Sequence, residues 1–253
     1  MKLRLFIYYF ITVLLTPILG IGQEQLKISY DKIAIPQVAP AIAFLIVTRL
    51  FLTLKTHLNI KFDTQIIFKL LLALFIPFGL LTIGFYACYL LGLKFEQTNN
   101  LMTTLPLAIS GMIFGAVGEE IGWRGFLQPN MEKKYSVVSS AIIVGLLWGL
   151  WHIGNYQYGI IYMIGFLLFT ISASIILRIL LDKTENNLLV SIIFHLSINI
   201  GFFVFFRNSL TNEKIIIGNG IIWALTALVT SVISHRKDKR HITGVWQKSG
   251  LSA

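Results

Sequence analysis

Charged residues are scarce in this sequence. Only 13% of the 253 residues are Asp, Glu, Lys or Arg, whereas 56% are hydrophobic, and the mean hydropathy is +0.77. Soluble domains carry about 25% charged residues, and so few charges cannot cover the surface of a water-soluble fold. Length and composition instead predict an all-α, polytopic bundle of about eight transmembrane spans, since each span needs about 20 residues.

Cysteine is also nearly absent, and long hydrophilic stretches are few. The single cysteine, Cys88, excludes an intrachain disulfide and is predicted to be a small buried residue. We find no internal repeat, low-complexity linker or separable soluble domain. The longest hydrophilic stretch is the tail at 235–253, whose basic cluster is predicted to be cytoplasmic.

Apolar runs of membrane length predict the individual spans. They fall at residues 5–21, 36–54, 66–92, 104–127, 137–157, 159–181, 188–206 and 215–234. The first run follows Lys2 and Arg4, as in a signal peptide. Its length, and the lack of an Ala-x-Ala cleavage site after it, favour a retained helix.

The distribution of basic residues predicts the orientation of these spans. The net charge of +10 comes from short clusters between apolar runs, which argues against a nucleic-acid-binding face. With eight spans, 14 of the 21 Lys and Arg residues lie on the side of the termini and five on the other. The positive-inside rule therefore places both termini in the cytoplasm.

The fourth run contains three ionisable residues, Glu119, Glu120 and Arg124. At about 100° per residue, Arg124 lies about 40° from Glu120 and about 140° from Glu119. We therefore predict an i, i+4 ion pair between Glu120 and Arg124, with Glu119 free to act as a general base. The alternative is a surface ion cluster at a helix end.

Two further runs carry polar residues at helical spacing. Trp148 and His152 share one helix face, and His195 and Asn199 share another. Each group also has a purely structural interpretation. His152 alone could be a buried histidine with its hydrogen bonds made, and His195 with Asn199 could form an interhelical hydrogen bond that only stabilises the bundle.

Taken together, the polar residues suit peptide hydrolysis, which needs an activated water and a stabilised oxyanion. Glu119 can deprotonate the water, while His152 can position it or move the proton. His195 and Asn199 can donate to the oxyanion. We expect these groups to meet in a polar cavity that opens toward the cytoplasm.

These segments resemble the CAAX-protease and bacteriocin-processing family, also called the CPBP or Abi intramembrane proteases. The resemblance rests on three motifs, which are Glu119-Glu120-x-x-x-Arg124, Trp148-x-x-x-His152 and His195-x-x-x-Asn199. Trp148 replaces the more usual Phe, and Ile153 stands where Pro is often seen. The order and spacing of all three motifs agree with the family pattern.

The resemblance implies an intramembrane endopeptidase of a bacterial plasma membrane that cleaves a membrane-associated, prenylated or bacteriocin-like peptide. It divides the chain into N-terminal helices (1–103), a catalytic core (104–206) and a last helix with the basic tail (207–253). Glu119, His152 and His195 are residue types that bind zinc. Their spacing is not that of the His-Glu-x-x-His motif on one helix, and metal-free catalysis is favoured.

Two other functions are also compatible with this sequence. One is a proton-coupled transporter, which also uses buried Glu and His, although no inverted repeat supports it. The other is a non-catalytic membrane interaction or immunity protein on the same scaffold. The substrate and the oligomeric state do not follow from the sequence.

Overall fold

Each of the eight predicted spans overlaps a helix, and residues 52–54 of the second predicted span lie outside the described residues. The computed structural model describes residues 2–30, 32–51, 56, 58–95 and 101–248, and no strand occurs among them. The helices are α1 (Lys2–Gln25), α2 (Ala39–Leu50), α3 (Thr64–Leu90), α4 (Leu101–Gly122), α5 (Gln128–Glu132), α6 (Val137–Trp151), α7 (Ile160–Leu180), α8 (Leu188–Phe206) and α9 (Glu213–Lys248). The predicted all-α fold is confirmed.

Irregular helical turns connect several of these helices. A π-helical turn, Trp123–Leu127, joins α4 to α5. Short 3-10 helices lie at Ile35–Val38, Ile153–Tyr158 and Arg207–Ser209. The side chains of the predicted basic tail, 235–253, lie outside the described residues.

The helices differ in whether they can cross a membrane alone. Within the described residues, six stretches are long and apolar enough: Leu3–Gln25, Thr64–Leu90, Thr103–Glu132, Ile160–Leu180, Leu188–Ser209 and Glu213–Ser234. Two apolar helices are shorter, Ile35–Leu50 and Val137–Trp151. The predicted span 137–157 is longer than its helix because α6 ends at Trp151. Counting the two short helices, the bundle has about eight spans.

Side-chain caps fix where three of these helices begin. Asp63 accepts a hydrogen bond from the Ile66 amide at the start of α3. Asn187 accepts from two amides at the start of α8, and Ser136 accepts from the Ser139 amide at the start of α6. Short polar side chains at these positions satisfy amides that have no partner within the helix. All three caps lie at the end of the bundle where α1 begins, here called the near end.

Helix α4 packs against α8, and the Trp148 side chain of α6 contacts both of them. Helix α8 lies between α3 and α4, while α7 packs against α6 and α9, and α1 and α2 pack together beside α4. Large apolar side chains cover the outside, with Phe6 64% and Leu90 82% exposed. Cys88 is buried, as predicted. An exterior of this kind suits contact with lipid.

A stripe of glycines on α4 lets the segment 32–40 approach that helix closely. A methyl group added at Gly111, Gly115, Gly118 or Gly122 would overlap atoms of this segment. Small residues at such spacing allow close approach of backbones in membrane helices. The stripe therefore seats the start of α2 against the turns of α4 that carry Glu119 and Glu120.

We predict that Gly122→Ala destabilises the protein by about 1–3 kcal/mol, the usual range for an overpacked core. The new methyl group would overlap Pro40 and the Tyr8 hydroxyl. Thermal unfolding in detergent micelles measures the effect. The matched control is Gly79→Ala in α3, where nothing lies within 4 Å. An equal loss of stability in both variants would contradict close packing at Gly122.

Candidate active site

Glu120 is the centre of a buried hydrogen-bonded group. Its Oε1 accepts a hydrogen bond from Arg124 Nη1 at 2.9 Å, so the predicted i, i+4 pair is present. The same oxygen lies 2.8 Å from His195 Nδ1 on α8. All three side chains are buried. Glu120 thus joins α4 to α8 and orients the imidazole, a contact that the sequence did not predict.

Glu119 faces a different set of groups. Its Oε2 accepts a hydrogen bond from Trp148 Nε1 at 2.7 Å and lies 4.0 Å from His195 Nε2. Its Oε1 is buried and has no hydrogen-bond partner among the described residues. Trp148 therefore holds one carboxylate oxygen of Glu119, whereas the other makes no hydrogen bond within the described part of the chain.

Trp148 links the residues of all three motifs. Besides bonding Glu119, its ring lies 4.7 Å below Arg124 Cζ, measured to the ring centroid. The ring centroids of His195 and His152 lie 5.2 and 6.0 Å from that of Trp148. A cation over an indole face is attracted by the ring. The sequence predicted only that Trp148 shares a helix face with His152, and the structure adds its role as hydrogen-bond donor to Glu119.

His152 lies where α6 ends. Its Nδ1 is 2.8 Å from the Trp148 carbonyl oxygen, and its ring packs against Trp151 and Phe166 at 5.0 and 4.9 Å between centroids. Helix α6 ends at Trp151, and the residues after His152 form the 3-10 helix Ile153–Tyr158. His152 therefore packs on the Trp148 ring and lies within electrostatic range of Glu119 and His195.

The π-helical turn holds Arg124 and was not predicted. Its residues Trp123, Phe126 and Leu127 are fully buried. Single π-helical turns within α-helices occur frequently at functional sites. Tyr8 of α1 packs on two of these residues, with centroid distances of 6.1 Å to Trp123 and 4.8 Å to Phe126.

Tyr8 also brings α1 to the site, although sequence analysis gave the first helix no role. Its side chain is fully buried, and its hydroxyl adjoins Gly122. It lies within electrostatic range of Arg124, Glu119 and Glu120. The signal available in the sequence was the glycine at 122, which marks the close approach of a neighbouring chain segment.

A cavity of about 480 Å³ leads toward these residues. It opens at the end of the bundle where α1 ends, here called the far end. His152 and Asn199 line it, as do Asn155 and Gln37. Within the described part of the chain, Glu119 and His195 are not wall residues of this cavity. Asn199 lies one helical turn from His195, on the side of the cavity.

The direction of this cavity corrects one expectation. The cavity opens at the far end, whereas α1 begins at the near end. The cavity mouth and the N-terminus therefore face opposite sides of the membrane, so the prediction that both face the cytoplasm is wrong. With both termini inside, the cavity opens to the outside.

The candidate metal ligands are Glu119, His152 and His195. The part of the chain that the structure describes has no group of three His, Cys, Asp or Glu side chains placed to hold a metal ion. His195 Nε2 and Glu119 Oε2 lie 4.0 Å apart, a separation that two ligands at about 2.0–2.2 Å from one zinc can have. The same Glu119 oxygen accepts the hydrogen bond of Trp148, which would compete with a metal for it.

Comparison with known proteins identifies similar sequences. Residues 101–201 match the sequence model of the family described as "Type II CAAX prenyl endopeptidase Rce1-like". This segment contains all three motifs. The predicted resemblance to CAAX proteases is thereby confirmed.

Several curated proteins are similar over most of the chain. Lysostaphin resistance protein A of Staphylococcus haemolyticus is 28% identical over 256 residues, covering 96% of this chain and 70% of that protein. Its namesake in Staphylococcus epidermidis is 26% identical, covering 99% of this chain and 69% of that protein. The Staphylococcus aureus protein is 28% identical over 82% of this chain and 51% of its own length.

Proposed function

We propose that this protein is an intramembrane endopeptidase that hydrolyses a peptide bond of a membrane-associated substrate. The observation that carries the proposal is the placement of Glu119. One of its oxygens is held by Trp148, the other is buried without a hydrogen-bond partner among the described residues, and His195 Nε2 is 4.0 Å from the held oxygen. The family match over 101–201 supports the same reaction class.

In the proposed reaction, Glu119 Oε1 takes a proton from a water molecule. The water oxygen attacks the carbonyl carbon, and the carbonyl oxygen becomes an oxyanion. Glu119 then gives this proton to the amide nitrogen as the oxyanion collapses to a carbonyl and the carbon–nitrogen bond breaks, which releases a neutral amine and a carboxylic acid. His152 positions the water or moves the proton, since its ring packs against Trp148 at the cavity wall.

The oxyanion is stabilised by His195 and Asn199 in this proposal. His195 gives Nδ1–H to Glu120 Oε1 and, as an imidazolium, presents Nε2–H to the reacting oxygen. Its charge is balanced by the carboxylates on either side. Asn199 donates from the cavity wall, one turn away. A single preorganised donor of this kind contributes about 10²–10³ in rate, and Glu120 with Arg124 keeps His195 in position.

We propose that this reaction needs no metal. Cleavage of quenched fluorescent peptides by the purified protein in nanodiscs should therefore be unchanged by EDTA or 1,10-phenanthroline. A zinc peptidase assayed in parallel provides the positive control for chelation. Loss of cleavage with chelator and its return with one equivalent of zinc would contradict the metal-free reaction.

The relatives favour a second candidate function. They are named for resistance to lysostaphin, so this chain can act as a resistance or immunity protein in the plasma membrane of a bacterium. If it does so without catalysis, a Glu119→Gln variant will restore a deletion phenotype fully. The peptidase proposal expects that variant to fail.

A further inference from the structure

Gln37 brings a side-chain amide into the wall of the far-end cavity. It belongs to the 3-10 helix Ile35–Val38, which precedes α2, and it is partly buried. The residue lies outside the segment 101–201 that matches the family model. Its chemistry is therefore additional to the three motifs that carry the proposed reaction.

The side-chain amide of Gln37 lies close to Glu119 along α4. A methyl group added at Gly115 would overlap Cδ and Oε1 of Gln37. Gly115 lies one helical turn before Glu119, about 6 Å along the helix axis and about 40° around it. Met112, three residues earlier on the same helix, lines the cavity. The Gln37 amide therefore lies on the side of Glu119 that faces the cavity.

Contacts of the main chain hold Gln37 in this position. Its backbone N–H donates to the Ala34 carbonyl oxygen at 3.0 Å, and its carbonyl oxygen rests against Gly118 of α4. Two residues earlier, the Ile35 amide donates to the buried Gln23 side chain at 2.7 Å. The backbone is thus fixed, whereas the side-chain amide of Gln37 makes no hydrogen bond within the described part of the chain.

The rest of the cavity wall suits an extended peptide. The side-chain amides of Asn155 and Asn199 line it, together with aromatic rings that include Tyr162, Phe166 and Phe202. Within a membrane every backbone N–H and C=O needs a hydrogen-bond partner, and a helix provides these partners itself. An extended chain has to find them in the protein, and a carboxamide offers both an acceptor oxygen and an NH₂ donor. The amides therefore suit the backbone of an unwound segment, and the rings suit its side chains.

We propose that Gln37 binds the backbone of the substrate, its side-chain oxygen accepting from a peptide N–H and its side-chain nitrogen donating to a peptide carbonyl oxygen. The contact holds an extended segment about one helical turn from Glu119. The substrate is thus an unwound peptide segment rather than an intact transmembrane helix. This inference rests on the proposed peptidase function, because it treats the cavity as the path of the substrate.

Binding without turnover tests this proposal. The protein is the full chain with Glu119→Gln in nanodiscs of neutral lipid, and empty nanodiscs correct for partitioning. The amide probe is an eight-residue peptide of alternating Leu and Ala with blocked ends and an uncharged fluorophore. In two ester probes, oxygen replaces the backbone N–H of every Leu or of every Ala. Because successive residues of an extended chain face opposite sides, each ester probe lacks the N–H groups of one side. Fluorescence anisotropy gives Kd for each probe.

Gln37→Met removes the side-chain amide and keeps an unbranched side chain. Added to Glu119→Gln, it should weaken binding of the amide probe about tenfold, the usual effect of losing one or two hydrogen bonds. With Gln37 present, one ester probe should bind about fivefold more weakly than the amide probe. This ratio should fall to about one in Gln37→Met, as expected for two groups in contact. A loss of packing alone would leave the ratio unchanged.

Two further variants accompany this substitution. Gln25→Met is the matched control, because Gln25 is exposed at the end of α1, at the same end of the bundle, and does not line the cavity. Gly115→Ala keeps Gln37 but displaces its amide, and it should weaken binding of the amide probe to a similar extent. Melting temperatures of all variants verify folding.

Several outcomes would overturn the proposal. They are no detectable binding of the amide probe, an unchanged Kd in Gln37→Met, an equal loss in Gln25→Met, and the same ester ratio with and without Gln37. Equal losses for the two ester probes would contradict an extended segment. Binding that depends on Gln37, without cleavage of quenched fluorescent peptides by the wild-type protein, would support the contact and reject the peptidase. Cleavage together with Kd values that do not depend on Gln37 would do the reverse.

Discussion

Glu119→Gln is expected to lower the rate of peptide cleavage by about 10²–10⁴-fold, the usual contribution of a general base. The amide keeps the size of the carboxylate, and its oxygen can still accept the Trp148 hydrogen bond seen at 2.7 Å. It cannot take a proton from water. The variant should therefore fold and insert normally. Initial rates in nanodiscs, with circular dichroism and melting temperature for the fold, measure the effect.

The control for this variant is Glu213→Gln. Glu213 is an exposed residue in the first turn of α9, outside the cavity wall. Its substitution removes the same charge and should leave the rate unchanged. Cleavage by Glu119→Gln at the wild-type rate would show that another group activates the water.

Glu120→Ala is expected to destabilise the protein by about 3–5 kcal/mol, the usual cost of leaving one partner of a buried ion pair uncompensated. Arg124 would keep its charge in a buried position, above the Trp148 ring, without its carboxylate. His195 would lose the oxygen that orients Nδ1, so the cleavage rate should also fall. Unfolding by denaturant in mixed micelles gives the change in stability.

An exposed ion pair provides the matched comparison. Glu185 pairs with Lys61 at 2.6 Å, but their side chains are 70% and 55% exposed. Glu185→Ala should therefore change stability by less than about 1 kcal/mol and leave cleavage intact. Similar stability losses for Glu120→Ala and Glu185→Ala would contradict a buried, supporting role for Glu120.

Features that depend on one helix could be predicted from the sequence. The Glu120–Arg124 pair follows from the four-residue spacing, because helix geometry alone brings such residues together. The spans follow from apolar runs. Both are local properties of a single segment, and the structure contains both.

Features that depend on the rotation of one helix against another could not be predicted. The contact between His195 and Glu120 joins residues 75 positions apart, and the Trp148 bond to Glu119 joins two separate helices. Packing of the whole bundle sets these relations. The π-helical turn also escaped prediction, since apolar periodicity does not distinguish it from an α-helix.

The close approach of the first helices to the site is indicated in the sequence by the glycines of α4. Gly111, Gly115, Gly118 and Gly122 follow the small-residue spacing of packed membrane helices. Their stripe seats the segment 32–40, and Gly122 adjoins Tyr8. The contribution of the N-terminal half to the site is therefore visible in the sequence of α4, rather than in α1 itself.

The central claim is that Glu119 serves peptide hydrolysis in the membrane. The most direct test is a comparison of new protein N-termini, by mass spectrometry of membranes, in cells that express the wild-type protein or Glu119→Gln at equal levels. We expect a set of N-termini that is present with the wild-type protein and absent with Glu119→Gln, with the uncut precursors accumulating. Identical N-termini in both samples would contradict it.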